Sequence, residues 1–463
     1  MRQLRGRFDM HSAQNRFPLV KCRLILHALT FLIAVSNSLQ VIAQPAGESS
    51  AQPPSETKSG PEWDFGVKAA LGYFNFRDSL FVAIDPDPPG NLGDDWLELW
   101  VKPWATFEWS TAAGVWFAKA SWIYVRTDED ASEIAGGGAH SSGFEDLYLG
   151  WQIGEQESGQ FEVAGGRYPY QIGHGFLLSD GYADGGSRGG FWSNARTAWA
   201  PAGGARFHFG GHTGEVYYLD RDERPESDTE TKITGVNYQW RSGDKRWTLG
   251  ASYFSMDANE LAPQRDGAEV WNFRVYTKPF DFPLSVEAEW ANENNGLALD
   301  ATAWYVQPYW TWEHAAWQPT LYYRYAFFQG DNPDTLANEA FDPLFPAFHD
   351  WGSWWQGEIA GEYFLSNSNL KTHMLRLNTK PTDRISTGLI YFDYALDQPG
   401  SYQGGVVSND LGKELDWYLD WRVSKLFTFS FVLARAKPGT AVKQAFNRSK
   451  DFKYGMIYLA FSY

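Results

Sequence analysis

The sequence predicts an all-β fold, a transmembrane antiparallel β-barrel of about 18 strands with long extracellular loops and short periplasmic turns. Three observations predict it. Apolar and polar residues alternate along strand-length segments throughout the chain after Trp63. Charged residues occupy the middle of the polar rows, and aromatic residues crowd the segment ends. Connections alternate between short and long, which distinguishes a membrane barrel from a β-sandwich or a propeller.

The composition agrees with a large strand-rich protein. Aromatic residues make up 17% of the 463 residues, a content that excludes a disordered chain. Hydrophobic residues reach only 43%, too few for a bundle of membrane helices. The sequence therefore predicts a protein that is rich in aromatic side chains and also has abundant polar surface.

The first 43 residues are predicted to be a secretory signal peptide. Six basic residues precede or begin an apolar core, Leu24 to Val35, and Val41 and Ala43 are small residues suited to cleavage near Ala43. The core is shorter than the roughly 20 residues of a spanning helix, although a retained N-terminal anchor is the alternative. Residues 44–62 are rich in Pro, Ser and Glu and are predicted to form a flexible periplasmic tether before a barrel domain at 63–463.

Charge and cysteine use narrow the functional classes. Residues 1–43 carry six basic residues and one acidic residue, so cleavage changes the net charge from −17 to −22. A protein this acidic is not expected to bind nucleic acid. The single cysteine, Cys22, lies in the signal peptide, so the mature chain has no thiolate metal site, disulfide or cysteine nucleophile.

Strand assignment follows the alternation in order along the chain. In Glu414 to Val423, for example, Leu415, Trp417 and Trp421 alternate with acidic and polar residues. The predicted strands are 63–77, 95–110, 114–126, 144–154, 160–168, 196–210, 215–221, 231–241, 246–256, 269–279, 284–293, 300–313, 317–329, 370–380, 383–396, 412–423, 426–436 and 452–463.

The requirement for an even number of strands decides how one further strand-like segment is assigned. Both termini of such a barrel lie on the periplasmic side, so the strand number must be even. The strand-like stretch 353–365 is therefore assigned to a long loop, 331–369, as a candidate pore constriction. Residues 78–94, 127–143 and 169–195 are also predicted to be long polar loops.

The last predicted strand, Phe452 to Tyr463, ends on an aromatic residue. It resembles the C-terminal signal recognised by the outer-membrane barrel-insertion machinery. The expected location is therefore the bacterial outer membrane, in contact with its lipids and lipopolysaccharide.

The second half of the chain also resembles the alginate-export family of outer-membrane barrels. The residues that carry the resemblance are Phe341-Asp342-Pro343-Leu344-Phe345-Pro346, His349 and Gly352, the Leu370 to Pro381 strand, Leu411 to Asp416, and Lys437-Pro438-Gly439. In the first half, Gly166 and Arg167 with Gly173 and Gly175 resemble a family strand end, with Tyr168 in place of the expected Gln. The aromatic-Asp-Gly expected after Arg196 is replaced by Trp199-Ala200-Pro201.

The resemblance implies an 18-stranded monomeric barrel that passes a polyuronate outward through an arginine-lined, loop-gated pore. On that basis Arg167 joins the candidate pore-lining residues. The polar rows of the predicted strands supply the others, namely Lys102, Lys119, Arg274, Lys278, Arg324, Arg376, Arg422, Glu414 and Asp416. Inward rings that would stack on sugars include Trp100, Trp104, Tyr276, Tyr322, Tyr418 and Tyr458.

The pore chemistry leaves alternatives open. Arginine suits carboxylates because its planar fork donates two hydrogen bonds. Acidic residues on the same rows, among them Glu98, Glu287, Glu289 and Asp420, could instead pair with the basic ones across a wide lumen. The sequence thus predicts a passive channel for an anionic polysaccharide or oligosaccharide, with a general diffusion porin for small, including anionic, solutes as the alternative.

Other functional classes have little sequence support. The histidines of the mature chain show no metal-ligand spacing, and no Gly-x-Ser-x-Gly nucleophile motif occurs. We therefore expect no cofactor, no metal and no catalytic residues, while an outer-membrane enzyme or a structural barrel remains the alternative from another class.

Overall fold

The computed structural model describes residues 60–78, 94–129, 131, 136–347, 356–361, 367–402, 404–447 and 449–463. The signal peptide, residues 44–59 of the tether, His349 and Gly352 lie outside these residues. Within the described chain, the dominant element is one closed antiparallel sheet of 18 strands.

The strand bounds follow the predicted segments closely, and the prediction of an 18-stranded barrel is confirmed. The strands are β1 Pro61–Arg77, β2 Asp94–Thr111, β3 Gly114–Thr127, β4 His140–Glu155, β5 Gly159–Pro169, β6 Ala198–Phe209, β7 His212–Asp220, β8 Lys232–Arg241, β9 Trp247–Asp257, β10 Glu269–Thr277, β11 Leu284–Asn294, β12 Asp300–Thr311, β13 Thr320–Phe328, β14 Leu370–Thr382, β15 Ile385–Leu396, β16 Asp410–Arg422, β17 Phe427–Pro438 and β18 Phe452–Ser462. Short helical turns occur at Gly186–Arg188, Pro225–Ser227, Gly357–Gly361 and Pro399–Ser401, and one α-helix, α1, spans Thr440–Phe446. None of the helices in the described residues is long and apolar enough to cross a membrane.

Each strand pairs with its neighbours in sequence, and the sheet closes where β1 meets β18. In that closing pair Ala70 lies opposite Ala460 and Tyr73 lies opposite Ile457. Closure matters energetically because an open edge would leave unpaired backbone groups in hydrocarbon.

The two faces of the wall differ as the alternation predicts. Along β16, Leu415 and Trp421 are exposed on the outer face, whereas Glu414, Asp416 and Tyr418 are buried inside. Outward apolar side chains can contact lipid, and inward polar ones avoid the cost of placing charge in hydrocarbon. The sequence pattern thus fixes which residues face the lumen on this strand.

The long connections do not all extend away from the barrel. Residues of the β5–β6 loop (170–197) and of the β13–β14 loop (329–369) meet in a buried apolar cluster. The Phe176 ring lies 5.8 Å from that of Phe328 and 6.4 Å from that of Phe341. Leu178 forms a parallel bridge with Phe345. These loops are therefore not simply polar, as was predicted for residues 169–195, because burial of Phe176, Leu178 and Phe345 stabilises their packing.

Candidate pore-lining site

The ten predicted pore residues fall into three groups in the structure. Lys102, Lys119, Arg274, Arg324, Arg376, Glu414 and Asp416 lie on inward rows, away from the exposed apolar residues of their strands. Lys278 and Arg422 lie at the short-turn end, where Lys278 pairs with Glu313 at 3.2 Å and Arg422 donates to the backbone oxygen of Asp383 at 2.8 Å.

Arg167 is placed differently from the expectation. It lies opposite Leu147, an outer-face residue that is 48% exposed. Counting along β5 gives the same answer, since Phe161 and Val163 of the same parity are exposed on that face. Its guanidinium pairs with Asp222 at 2.7 Å. Arg167 therefore belongs to the outside of the wall, not to the lumen.

A cation among tyrosine rings lies on the inner face of β12, β13, β14 and β16. We call Tyr309, Tyr322, Arg376 and Tyr418 the Arg376 platform. The Arg376 guanidinium carbon lies 5.3 Å from the Tyr322 ring centroid and 5.4 Å from that of Tyr418. Its Nη2 donates to the Tyr418 hydroxyl at 2.8 Å. Tyr309 stacks on Tyr322 with the centroids 4.9 Å apart.

The platform combines two chemistries that a uronate residue needs. The guanidinium can donate two hydrogen bonds to a carboxylate, and tyrosine faces can stack on a sugar ring. Arg376 and Tyr322 are only half-buried, so both remain accessible from the lumen.

A second inward cation, Arg274, is held by neutral oxygens. It is 4% exposed, and its Nη1 donates to the Ser252 hydroxyl at 2.8 Å. Asn237 and Asn272 supply side-chain oxygens as further acceptors. His174 of the β5–β6 loop stacks on Tyr276 with the two ring centroids 4.1 Å apart.

The partners of the arginines separate them into two kinds. Arg196, Arg206, Arg221 and Arg265 each form an ion pair with a carboxylate. In the described part of the chain, neither Arg274 nor Arg376 has a carboxylate oxygen within 4 Å. Neutral acceptors orient a guanidinium without cancelling its charge, so these two side chains retain a positive field.

The β5–β6 loop approaches Arg274 so closely that only glycine fits at Gly173. A Cβ there would lie 2.6 Å from the Arg274 Cδ and 2.6 Å from the Tyr276 hydroxyl. Gly173 also has a φ of +53°. The loop therefore depends on a missing side chain to reach the Arg274 region.

Gly173→Ala should lower the thermal stability of the barrel or undock this loop, with a cost of roughly 1 to 3 kcal/mol from steric overlap and backbone strain. The matched control is Gly210→Ala, since Gly210 has a φ of +55° and open space around its Cβ position. Thermal unfolding of both variants measures the difference. Equal shifts would mean that backbone conformation alone, and not contact with Arg274, constrains Gly173.

Along another part of the wall, a lumenal cavity of about 220 Å³ is lined by charged residues and tyrosines from β3 to β7. Lys119 pairs with Asp146 at 3.1 Å, and Arg206 pairs with Glu215. Tyrosine side chains of the cavity are Tyr148, Tyr168, Tyr170 and Tyr217. Sequence reasoning missed these rings and Arg206, although the strand parity that placed Lys119 inward also applies to Tyr148 and Arg206.

Glu414 and Asp416 hold a backbone segment inside the barrel. The π-helical turn Gly357–Gly361 is buried against them. The Glu414 carboxylate accepts hydrogen bonds from the N–H groups of Ile359 at 2.7 Å and Ala360 at 2.8 Å. Asp416 accepts from the Glu358 N–H at 3.3 Å. The two acids thus act on the β13–β14 loop and leave few acceptors for a solute.

An ion pair fixes another part of the same loop. Arg265 donates to both oxygens of Asp342, with Nε–Oδ2 2.7 Å and Nη2–Oδ1 2.8 Å. Burial raises the pKa of Asp342, but the hydrogen bonds and charge of Arg265 outweigh it and hold this pKa below its ordinary value. At Asp180 in the β5–β6 loop, burial has the larger effect. It raises the pKa of Asp180 to about 6, although the charge of Arg221 lowers this pKa.

The Asp342 pair predicts acid-sensitive docking of the β13–β14 loop. A depressed folded pKa stabilises the docked state fully above the unfolded pKa, and the contribution is lost as pH falls through the folded pKa. The protection factors of the Phe341, Asp342, Leu344 and Phe345 amides against hydrogen exchange should therefore fall below about pH 4. Asp342→Asn should remove this part of the pH dependence. An unchanged pH profile in the variant would show that another group controls docking.

The described residues contain no group of three or more His, Cys, Asp or Glu side chains arranged to hold a metal ion. The groups described above are arginine, tyrosine and amide side chains of the wall. Such a set binds and orients solutes through charge and stacking.

Comparison with known proteins agrees with this architecture. The alginate export family model matches residues 147–455. No curated protein matches the sequence significantly. Among solved structures, OpdK of Pseudomonas aeruginosa, crystallised with vanillate, is similar with a TM-score of 0.56 and 11% identity, over 86% of this chain and 98% of that chain.

Two further solved structures are similar to nearly the same degree. The BenF-like porin of Pseudomonas fluorescens Pf-5 has a TM-score of 0.56 and 12% identity, over 87% of this chain and 98% of that one. OccAB4 of Acinetobacter baumannii has a TM-score of 0.54 and 10% identity, over 86% and 98%. At these identities the likeness shows the fold alone.

Proposed function

Because the chain belongs to the alginate export family and forms a closed barrel of the outer-membrane type, we propose that it is a passive channel for an anionic polysaccharide or oligosaccharide. The observation that carries the proposal is the pair of inward arginines, Arg274 and Arg376, that are held by neutral groups within the described residues. Positive charge that is oriented but not neutralised attracts a polyanion without trapping it in a single tight site.

The Arg376 platform gives the proposal its chemical detail. A uronate carboxylate would accept from the Arg376 guanidinium, while the Tyr322 face stacks on the sugar ring. Stacking and charge then act on the same monosaccharide unit. A neutral sugar or a small inorganic anion would make only one of these two interactions.

On the same basis we assign roles to the N-terminal residues and to the β13–β14 loop. Residues 1–43 direct export and are cleaved near Ala43, and residues 44–60 connect the cleavage point to the barrel, whose first strand begins at Pro61 and not at Trp63 as predicted. The β13–β14 loop narrows the lumen, since Gly357–Gly361 is buried against the inner-wall residues Glu414 and Asp416. The barrel acts as a monomer without cofactor, and no catalytic role is assigned to it.

A general diffusion porin is the second candidate, and one observation favours it. In the lumenal cavity lined by β3 to β7, the cations Lys119 and Arg206 face three acids, Asp146, Glu162 and Glu215. A lumen that is locally balanced or acidic would weaken anion preference. Passage of small solutes of either sign would then follow.

Planar-bilayer recordings distinguish the two candidates. The purified protein is reconstituted, its ion selectivity is measured in a salt gradient, and polyuronate is added to one side. Anion preference together with concentration-dependent block supports the polysaccharide channel. Cation preference without block would replace it with the diffusion porin.

A further inference from the structure

A row of like charges crosses the outer face of the wall where the sheet closes. Arg77 of β1 lies directly opposite Lys453 of β18, and Lys453 lies directly opposite Arg435 of β17. These side chains point outward by strand parity, since Ile457 and Leu433 of the same rows are 43% and 49% exposed. We call Arg77, Lys453 and Arg435 the outer cation row.

A second pair of like charges lies beside this row. Lys413 of β16 is directly opposite Lys437 of β17, two residues beyond Arg435. Directly opposite side chains of an antiparallel sheet have Cβ atoms about 5 Å apart, and like charges in such positions repel each other. All five cations are exposed on one sector of the wall, from β16 through β18 to β1.

Nearby carboxylates neutralise only part of this charge. Arg435 pairs with Asp451, and Lys413 pairs with Asp393 at 3.1 Å. Within the chain as the structure describes it, the other three cations have no carboxylate oxygen within 4 Å. They are Arg77, Lys453 and Lys437.

The two remaining acids at this end of the wall already have partners. Asp78 pairs with a sixth cation, Lys450, at 3.3 Å. Asp95 accepts a hydrogen bond from the Tyr73 hydroxyl at 3.3 Å. Even when both acids are counted, six cations share this sector with four carboxylates, and the positive excess remains.

The far side of the barrel shows a different arrangement of outward charge. Asp220 of β7 lies opposite Lys232 of β8, and Lys232 lies opposite Asp257 of β9. Tyr218 and Val236 of the same rows are exposed, so these charges also point outward. Because their signs alternate, neighbours along that row attract each other. In the outer cation row, an anion from outside the wall would supply the compensation that is missing.

The outer cation row lies at the depth of lipid headgroups. Leu433 and Ile457 follow it toward the short-turn end and face the hydrocarbon. On β3 and β4 the long-loop ends carry rings instead, where Trp122 meets Phe144 with the ring centroids 4.9 Å apart. Aromatic rings and long basic side chains both mark the membrane interface. Cations thus take the place of interfacial rings on β17, β18 and β1.

We propose that the outer cation row binds the phosphorylated headgroup of an outer-leaflet glycolipid. Arg77 donates two hydrogen bonds from its planar fork to a phosphate, and Lys453 adds ammonium charge beside it. The row crosses two strand spacings, about 10 Å, so a headgroup with two phosphates contacts it along its length. The acyl chains lie along Ile457, next to Gly455, which leaves the surface there without a side chain.

Depth and neighbours favour a lipid over a soluble anion. A free phosphate ion or a polyuronate would contact the cations but would leave Leu433 and Ile457 unused. An amphipathic anion contacts both parts of the surface at once. Its binding is independent of which solute passes through the lumen.

The test measures retention of lipid by the full-length mature protein in neutral detergent. Lipid A, dephosphorylated lipid A, inorganic phosphate and polyuronate serve as probes, and bound lipid is quantified by native mass spectrometry. One variant combines Arg77→Gln with Lys453→Gln, and a second combines Arg77→Lys with Lys453→Arg to keep the charge. Lys232→Gln is the matched control, since it removes an outward cation from the row of alternating sign.

The expected result is retention of lipid A by the natural protein, by the charge-keeping variant and by Lys232→Gln. The double glutamine variant should bind lipid A about tenfold more weakly, because it loses two of the unpaired cations. Heat-modifiable migration on gels establishes that each variant is folded.

Equal retention by the natural protein and the double glutamine variant would overturn the proposal, as would equal retention of dephosphorylated lipid A. A loss in Lys232→Gln as large as in the double glutamine variant would assign retention to general surface charge and overturn it too. Competition by millimolar inorganic phosphate or by polyuronate as effective as that by lipid A would identify a site for a soluble anion, which contradicts the proposal.

Discussion

Arg376→Gln should weaken block by polyuronate about tenfold and shift the ion selectivity of the channel toward cations. Glutamine can still donate one hydrogen bond to the Tyr418 hydroxyl, so the platform geometry is largely kept while the charge is lost. A charge-assisted bidentate contact with a carboxylate contributes roughly 1.5 to 3 kcal/mol, which corresponds to tenfold or more in affinity. The measurement is single-channel recording with polyuronate titrated on one side.

The control for this prediction is Arg422→Gln. Arg422 is an exposed arginine at the short-turn end of β16, and it donates to the backbone oxygen of Asp383. A selectivity change equal to that of Arg376→Gln would mean that the total lumen charge, and not the Arg376 platform, sets the preference. No change in either variant would remove the platform from the permeation path.

Glu414→Ala should release the turn Gly357–Gly361 from the inner wall. The substitution leaves the N–H groups of Ile359 and Ala360 without their carboxylate acceptor. Each unsatisfied buried donor costs about 1 to 3 kcal/mol, so the loss of acceptors for two donors should weaken docking by roughly 2 to 6 kcal/mol. Hydrogen exchange of amides 358–360 should accelerate more than tenfold, and single-channel conductance should rise if the turn narrows the lumen.

Two substitutions test the physical reason. Glu414→Gln retains one acceptor oxygen at the same position and should recover part of the protection. Tyr394→Phe removes the hydroxyl that donates to the Gln356 backbone oxygen, and should have a smaller effect of about 1 kcal/mol. Unchanged exchange in Glu414→Ala would show that apolar burial of Ile359 and Ala360 is sufficient to dock the turn.

The Arg376 and Glu414 predictions separate two uses of inward charge. Arg376 keeps its charge available because a hydroxyl and two rings hold it. The Glu414 carboxylate oxygens accept hydrogen bonds from backbone N–H groups of the chain itself. Arg376 lies on the polar row of β14 and Glu414 on that of β16, so their location alone would suggest the same function. Their partners decide which one faces a solute.

Some site assignments could be made from sequence and others could not. Parity placed Arg274, Arg376 and Glu414 inside, because a shift of one residue would expose every charge of a strand to lipid. The same parity places Arg167 outside with Phe161 and Val163, and only the resemblance had assigned it to the lumen. The partners of these side chains lie 15 to 77 positions away in sequence, as Asp342 does from Arg265, and no local pattern identifies them.

The number of strands, their order and the face of residues along regular strand segments could be predicted from the alternation alone. A bilayer imposes a two-residue period on every strand and a closed sheet on the whole, so local alternation carries this information. The closed barrel was needed to establish which loops fold inward and which arginines of the described residues are held by neutral groups instead of carboxylates. Those features depend on contacts between distant segments, such as Leu178 with Phe345 and Glu414 with Ala360, whose energies arise when the closed barrel brings them together.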